Sequence, residues 1–436
     1  MNDLKLFTKQ GLIMIKRSFF TLSQPGLIYD LVEPDPKEPV SIPIPPNLIL
    51  LLNEPIANTR QALIKKGAAV EKGEKLCLYN DSTEYTISPV TGIITAIDSY
   101  ADVFGKISTY LVINNDQSQT SQTDSAAYDL KDDITSADQY LRTLPGAPPL
   151  KALARDDVKI NTIVITGADS DLLSTTSQYV MLKSWEMLKE GARVLKTITK
   201  IPKICITIPE NSNIQGGLDS IVLFKTASKY PSNLPAMVLK DHLNMVLPAG
   251  KTPEDLGVCF ICAEAVVSLA KAYKKKSAEF EKILTVTGKK GTRYRAKATI
   301  GTPLHKVFKA FGIRINDQDR IIIGGPMRGF STFTHNHPVQ PDMDTIVIQS
   351  SDIIPEISDY PCVNCGKCLR ICPANVPVNI LVRYLEADQY EEAADKYDLD
   401  SCIECGLCSY VCTAKIPLFQ YIQLGKNELL KLRAEV

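Results

Sequence analysis

One tryptophan, four histidines and no net charge, with 49 Lys and Arg against 49 Asp and Glu, mark this 436-residue chain at once. Balanced charge without a Lys/Arg-rich arm leaves no basic field for a nucleic-acid backbone or an anionic lipid surface, so no nucleic-acid partner is expected. Long apolar runs are missing as well. The longest, residues 258–263 (VCFICA), falls far short of the ~20 residues that span a bilayer. No charged-then-apolar segment opens the chain, so neither a signal peptide nor a transmembrane segment is expected, and any membrane role would come through a partner. Of His242, His305, His335 and His337, only His335 and His337 are spaced as a metal pair. Their phrase, FTHNHPV, reads as a loop without the third ligand that a metal site needs. Trp185 falls on the apolar face of a helical stretch and reads as core.

What the chain has is cysteine. Eight of its twelve cysteines fall into two copies of one pattern, Cys362-x-x-Cys365-x-x-Cys368-x-x-x-Cys372-Pro373 and Cys402-x-x-Cys405-x-x-Cys408-x-x-x-Cys412. Three thiolates spaced by two residues can wrap three irons of a 4Fe-4S cluster; the fourth, one helical turn on, points away, and in two-cluster ferredoxins it ligates the other cluster. The expected ligand sets are therefore Cys362, Cys365, Cys368 and Cys412 for one cluster, and Cys402, Cys405, Cys408 and Cys372 for the other. The competing reading, zinc or structural thiols, does not require this doubled register. Pro373 ends the turn after the fourth cysteine. The second copy has Thr413 there, a departure that bears on the local turn and not on a ligand. Thiolate clusters need a reducing compartment, which favours the cytoplasm. Cys77 (KLCLY) and Cys205 (KICITI) lie in apolar stretches and read as buried thiols. Cys259 and Cys262 form a C-x-x-C at the start of an apolar helix, have no second ligand pair nearby, and read as structural.

The length suits roughly three domains. Short apolar stretches separated by turn chemistry mark residues 27–114 as a small all-β module. Within it, KKGAAVEKGEKLCLYNDSTEYTISPVTGIITAI resembles the barrel-sandwich hybrid of lipoyl and biotinyl carriers. Residues 79–83, which correspond to the carrier hairpin, contain no lysine, so docking is expected rather than a swinging arm. Residues 115–137 are polar with few apolar anchors and read as a linker. Strand signals at 161–166 (NTIVIT), 203–208 (KICITI) and 220–225, with one long helix over 174–198, predict a parallel, doubly wound α/β sheet. Its ligands would sit beyond the strand carboxyl ends, at residues 167–171. A helix over 263–275 leads into LTVTGKKGTRYRAKATIGTPLHKVFKAFG, two strands and a helix with Thr302 as cap and Pro303 in the first turn. RIIIGGPMRGF is a strand running into a glycine turn. Between the cysteine runs, VNILVRYLEADQYEEAADKYDLD has helical spacing, which suits an α-helical ferredoxin.

CVNCGKCLRICPANVPV, CIECGLCSYVCTAKIPL, IIGGPMRG and the TVTG…GTPL phrase, in this order of modules, resemble the RnfC family, the C components of the Rnf electron-transport complex, an ion-translocating ferredoxin oxidoreductase. The likeness runs from about residue 27 to the end. It implies a multidomain α+β and α/β fold: an extension (1–26), a barrel-sandwich hybrid (27–114), the linker (115–137), an α/β domain like the flavin subunit of complex I (138–275), a soluble-ligand-binding β-grasp module (276–350) and a two-cluster helical ferredoxin domain (351–436). Implied partners are other Rnf-type subunits, among them membrane subunits and an iron-sulphur subunit, and ferredoxin. The implied place is peripheral, on the cytoplasmic face of the membrane.

Members of that family bind FMN and NADH through a G-x-G-G-A-G-F-P loop, whose bare backbone approaches phosphate, and an N-G-A-E-C-E-P phrase. Here the loop is TLPGAPPLKAL, with one glycine, Gly146, and three prolines, Pro145, Pro148 and Pro149, which lack N–H donors. The phrase is TGADSD, keeping only Gly167 and Ala168. Asp169 and Asp171 read as helix caps rather than ribose ligands. FMN and NADH are therefore not expected, and two 4Fe-4S clusters are. The expected role is electron relay, without a bond-making active site. The alternatives are an FMN-dependent NADH:ferredoxin dehydrogenase subunit whose loop has drifted, and a docking scaffold with structural clusters.

Overall fold

The computed structural model describes residues 26–57, 59–115, 128–212, 221–358 and 360–435. Nearly all of the expected N-terminal extension and most of the expected linker lie outside them. The first strands are β1 (Val40–Ser41), β2 (Asn47–Leu52), β3 (Ala69–Val70), β4 (Lys75–Leu76), β5 (Thr86–Ile87), β6 (Gly92–Ala101) and β7 (Ile107–Asn115). Strands β2, β7, β6 and β3 form an antiparallel sheet in that order, with β4 and β5 as a separate ribbon. Leu48, Leu50 and Leu52 alternate inward along β2 and meet Leu111 and Ile113 of β7 in one core. The chain before β2 leaves this barrel: β1 pairs with a strand of the β-grasp sheet, and Leu27 and Tyr29 pack against the ferredoxin segment.

The next elements are α1 (Ile134–Tyr140), α2 (Leu150–Leu153), β8 (Thr162–Thr166), α3 (Thr176–Lys183), α4 (Trp185–Thr199), β9 (Lys203–Pro209), β10 (Ile221–Thr226), α5 (Pro235–Leu243), β11 (Val258–Cys262) and α6 (Ala263–Lys275). The sheet is parallel throughout, in the order β10-β9-β8-β11. Ile163, Val164 and Ile165 of β8 are fully buried, as a strand covered by helices on both faces requires. Strand order reverses between β8 and β11, which places the topological switch point at their carboxyl ends. Two expectations are corrected. The single helix over 174–198 is two helices, because Ser184, at φ −120°, ends α3 and begins α4. The C-x-x-C run is strand β11 rather than the start of a helix, its β-branched and aromatic residues pairing in register with β8, and the helix begins only at Ala263. Trp185 is half-buried at the edge of the core.

β12 (Glu281–Thr287) and β13 (Arg293–Thr299) form a hairpin, followed by α7 (Leu304–Ala310), β14 (Arg320–Ile323), β15 (Phe330–Thr332) and β16 (Thr345–Gln349). β16 lies parallel beside β12, and β14 runs antiparallel to β16, which is the β-grasp arrangement. Thr302 does not cap α7: Pro303 occupies the N-cap position, and the buried Thr302 hydroxyl makes no hydrogen bond among the described residues. The backbone is held instead by a bridge between Pro303 and Pro338, with the Leu304 N–H donating to His337 O. The first barrel meets this module at His337, whose Nδ1 lies 3.1 Å from the Tyr100 hydroxyl on β6.

Burial depresses the His337 imidazole to about 4. An unfolded chain takes up that proton near about pH 6.5, so between these values the unfolded state binds more protons than the folded one. The stability contributed here is intact above about pH 6.5 and is lost as pH falls towards the folded value, to a total of about 3 kcal/mol. His337→Gln is expected to flatten this part of a denaturation series taken from pH 6.5 downwards to about 4.5, where the imidazole would otherwise charge. A variant that keeps the parent slope would refute the assignment.

The last segment is helical: α8 (Lys367–Ile371), α9 (Val378–Glu386), α10 (Tyr390–Tyr397), α11 (Leu407–Val411) and α12 (Leu418–Glu435). Leu381, Leu385, Ile416, Leu418 and Ile422 share a core with Cys368 and Cys408. Among the described residues, no helix is long and apolar enough to cross a membrane.

Candidate functional site

The two cysteine runs fold as copies of each other. Asn364 and Glu404 both take positive φ, at 51° and 53°, and Gly366 and Gly406 follow at 68° and 71°. Each glycine opens a short helix, α8 or α11, which places the third cysteine in its first turn. The Asn364 N–H donates to Cys362 Sγ and the Glu404 N–H to Cys402 Sγ, both at 3.4 Å. The fourth cysteines leave their helices in extended backbone, with ψ 118° at Cys372 and 119° at Cys412. The turn that follows survives the exchange of Pro373 for Thr413, since Asn375 and Lys415 both take φ 57°. Thr413 also has a contact of its own: its hydroxyl lies 3.3 Å from Cys365 Sγ in the opposite run.

Packing of α8 against α11 carries each fourth cysteine across to the other run. Cys362, Cys365, Cys368 and Cys412 line one recess, closed by Thr413, Asn379, Ile416 and Leu418. Burial pushes the Cys368 thiol up to about 11, and charge on Cys362, Cys365 and Cys412 pushes it the same way. In the other group, burial raises Cys405 to about 12, with Cys402 and Cys372 adding to it. Cys408 is raised by burial and by the charges of Cys402 and Cys405. Cys365 moves the other way; burial opposes ionisation, but the Thr413 hydroxyl and local N–H groups outweigh it. Four sulphurs whose negative charges repel one another form a donor set that suits a polycationic iron core, which relieves that repulsion. The residues therefore fit iron-sulphur clusters. Among the described residues, no group of three or more His, Cys, Asp or Glu side chains is set to hold a single metal ion.

The second loop is built into the body of the protein. The Tyr230 hydroxyl donates to Cys405 O at 2.7 Å, Arg328 Nε to Glu404 O at 3.2 Å, and Lys426 Nζ to Cys402 O at 2.7 Å. A Cβ on Gly406 would lie 2.3 Å from Met327 O, so only glycine admits the GGPMRG turn. That turn is held in its own place by Asp171, which accepts from Leu172 N–H, Met327 N–H and Arg328 N–H at 2.7, 3.2 and 2.8 Å. Nothing in the sequence around Asp171 points to this partner 156 residues away; only the glycines of the turn hint at a close approach.

The switch point between β8 and β11 is occupied by the chain itself. Cys262 Sγ caps α6, accepting from Ala265 N–H, and lies 3.2 Å from Gly146 O. A Cβ on Gly146 would come within 2.3 Å of Ala265 N, so the 144–150 loop sits directly on the amino end of α6. Ser268 Oγ donates to Pro145 O at 2.9 Å and fixes the loop further. Asp169 is buried and accepts from Ser174 Oγ, Ser177 N–H and Gln178 N–H, so its carboxylate holds the first turn of α3 although Thr175 is the N-cap; Asp171, expected to cap as well, binds the GGPMRG turn instead. Burial raises Cys259 and Cys262 each to about 12, so both are inert core thiols.

Two family patterns match the chain, an RnfC barrel sandwich hybrid domain over residues 35–118 and a 4Fe-4S dicluster domain over residues 361–416. The C subunit of the ion-translocating oxidoreductase complex of Yersinia enterocolitica is 25% identical over 80% of this chain and 53% of its own length. That of Vibrio cholerae is 25% identical over 81% and 48%, and that of Yersinia pestis 26% identical over 80% and 60%. The chain thus spans about half the length of the curated relatives it matches. Among solved structures, an NAD+-reducing [NiFe]-hydrogenase in the H2-reduced state aligns with a TM-score of 0.41 and 12% identity, over 70% of this chain and 62% of that one. With an RnfC-type barrel domain at one end and a 4Fe-4S dicluster domain at the other, the chain is similar to the C subunits of ion-translocating oxidoreductase complexes.

Proposed function

We propose that this chain is the iron-sulphur electron-transfer subunit of a membrane-associated, Rnf-type ferredoxin-oxidising complex, peripheral on its cytoplasmic face, and that it has no FMN or NADH chemistry of its own. The observation that carries this reading is the congruent pair of cysteine loops with crossed fourth cysteines. Cys362, Cys365, Cys368 and Cys412 would hold one 4Fe-4S cluster, and Cys402, Cys405, Cys408 and Cys372 the other. When bound, each cluster supplies reversible one-electron storage. The residues of the chain hold the sulphurs in place, bury the second loop away from water, and set cations, Lys426 and Arg328, beside its backbone. A positive charge there favours the more negative, reduced state.

The loss of nucleotide chemistry is supported by the filled switch point. The α6 amino end, where a phosphate would seek free N–H groups, is covered by Pro145 and Gly146. Asp169 and Asp171 are consumed by the first turn of α3 and by the GGPMRG turn. Ferredoxin and membrane subunits are the partners of this reading, and the divisions at 26, 114, 137, 275 and 350 are its domain boundaries.

Anaerobically purified full chain is expected to contain about eight irons, two cubanes' worth, with no stoichiometric flavin and no NADH-driven reduction. About four irons, or zinc in their place, would end the two-cluster reading. Stoichiometric FMN with cluster reduction by NADH would instead restore the dehydrogenase reading, and clusters that resist reduction at ferredoxin-like potentials would favour a scaffold.

A further inference from the structure

The two cysteine loops share one backbone and differ in what covers them. Against the second loop lie the Met327 carbonyl, Tyr230 and an apolar patch that includes Leu172 and Leu234. Among the described residues the first loop has no such cover: a Cβ on Gly366 would meet only the Arg370 guanidinium, at 3.2 Å. Val363 is 66% exposed and Tyr360 79% exposed, although both are large and apolar in character. Along the run itself the charge is one-sided too, the neighbouring Glu356 being paired with Lys415. From Tyr360 to Arg383 the sequence contains Lys367, Arg370 and Arg383 and no acidic residue. Arg383 lies one helical turn beyond Asn379, which lines the recess of Cys362, Cys365, Cys368 and Cys412.

Resting on the two-cluster reading, we propose that this basic, apolar face of the first cysteine run is the docking surface for a small, acidic-faced protein electron carrier, while the second run faces the chain's own body. An anionic membrane would also attract Lys and Arg beside exposed apolar side chains. The patch, however, is centred on the sulphurs of a redox site, and only an electron partner gains from contact at that point. One electron passes, the carrier is oxidised by one and the first-run site reduced by one, and no bond or proton changes hands. Opposite charge on the carrier would steer the encounter, which makes both affinity and rate fall with salt.

The test uses the anaerobic, cluster-loaded full chain and a small acidic two-cluster ferredoxin, with affinity measured by titration calorimetry and electron transfer by stopped flow. Iron content and EPR of the parent come first; a parent without two clusters overturns this proposal together with the reading beneath it. With both clusters present, Lys367→Glu combined with Arg383→Glu is expected to weaken binding about tenfold or more and to flatten its salt dependence, while iron content stays at the parent value. The same charge change placed on the α/β domain, Lys240→Glu with Lys251→Glu, is expected to leave affinity as it was. Unchanged affinity in the first variant, or equal loss in both, overturns the proposal. So does loss of co-sedimentation with anionic phospholipid vesicles while carrier binding persists.

Discussion

Cys362→Ala with Cys412→Ala is expected to leave about four irons per chain, whereas Cys402→Ala with Cys412→Ala is expected to leave almost none. The first pair removes two ligands from one proposed cluster and spares the other. The second pair takes one ligand from each, though its two cysteines come from a single run of sequence. The mirror experiment pairs Cys372→Ala with Cys402→Ala, which should again spare one cluster. Iron analysis and EPR read the result directly, and equal iron loss in all the double variants would sink the crossed assignment. The prediction is sharp because α8 packs against α11, with Cys412 lining the recess of the first run and Cys372 near enough to Cys405 to raise its thiol.

Lys282→Met is expected to destabilise the protein by about 3–5 kcal/mol, the cost of stranding buried charge. Lys282 sits on β12 with no exposed surface. Its ammonium is bound by Glu264, in the first turn of α6, and by Asp344 Oδ1 at 2.7 Å. Glu264 also accepts from Ile283 N–H at 2.9 Å, so one buried carboxylate ties α6 to the β-grasp sheet by two routes. Burial opposes the charge on Lys282, but Asp344 and Glu264 more than offset it and hold the lysine protonated well beyond neutral pH. Removing the cation leaves Glu264 buried without its counter-charge, beside the partly exposed Asp344. Equilibrium denaturation of the full chain measures the loss, and Glu264→Gln added to Lys282→Met should recover part of it. A cost below about 1 kcal/mol, the range of a surface pair, would show that the triad is not the clamp between the two modules.

The cluster segment was legible because its chemistry is local. Cysteine spacing fixes which sulphurs can share a cluster within one run, and the glycines before α8 and α11 are needed where the φ angles are positive. The parallel sheet was legible for a similar reason, since buried strands such as TIVIT and KICITIP carry continuous apolar runs. The errors fell where a local signal competed with a tertiary one. Thr302 looks like a cap, but the Pro303–Pro338 bridge holds that corner and leaves its hydroxyl buried without a partner among the described residues. The helix over 174–198 reads as continuous because its apolar spacing hardly falters at Ser184. VCFIC reads as helical beside an apolar helix until its pairing with β8 makes it a strand.

The sequence by itself determined the two cysteine runs, the crossing expected of their fourth members, the loss of the glycines that would admit a phosphate, and the acid-free stretch around the first run. These depend on residue identity and short spacing, which no fold can alter. Only the tertiary structure decided which loop the described residues cover and which they leave open. It placed Asp171 on the GGPMRG turn, Tyr230 on Cys405 and the 144–150 loop on the amino end of α6. Contacts between residues far apart in the chain follow from how sheets and helices stack, because each depends on the summed packing of many side chains rather than on any pattern within a single window.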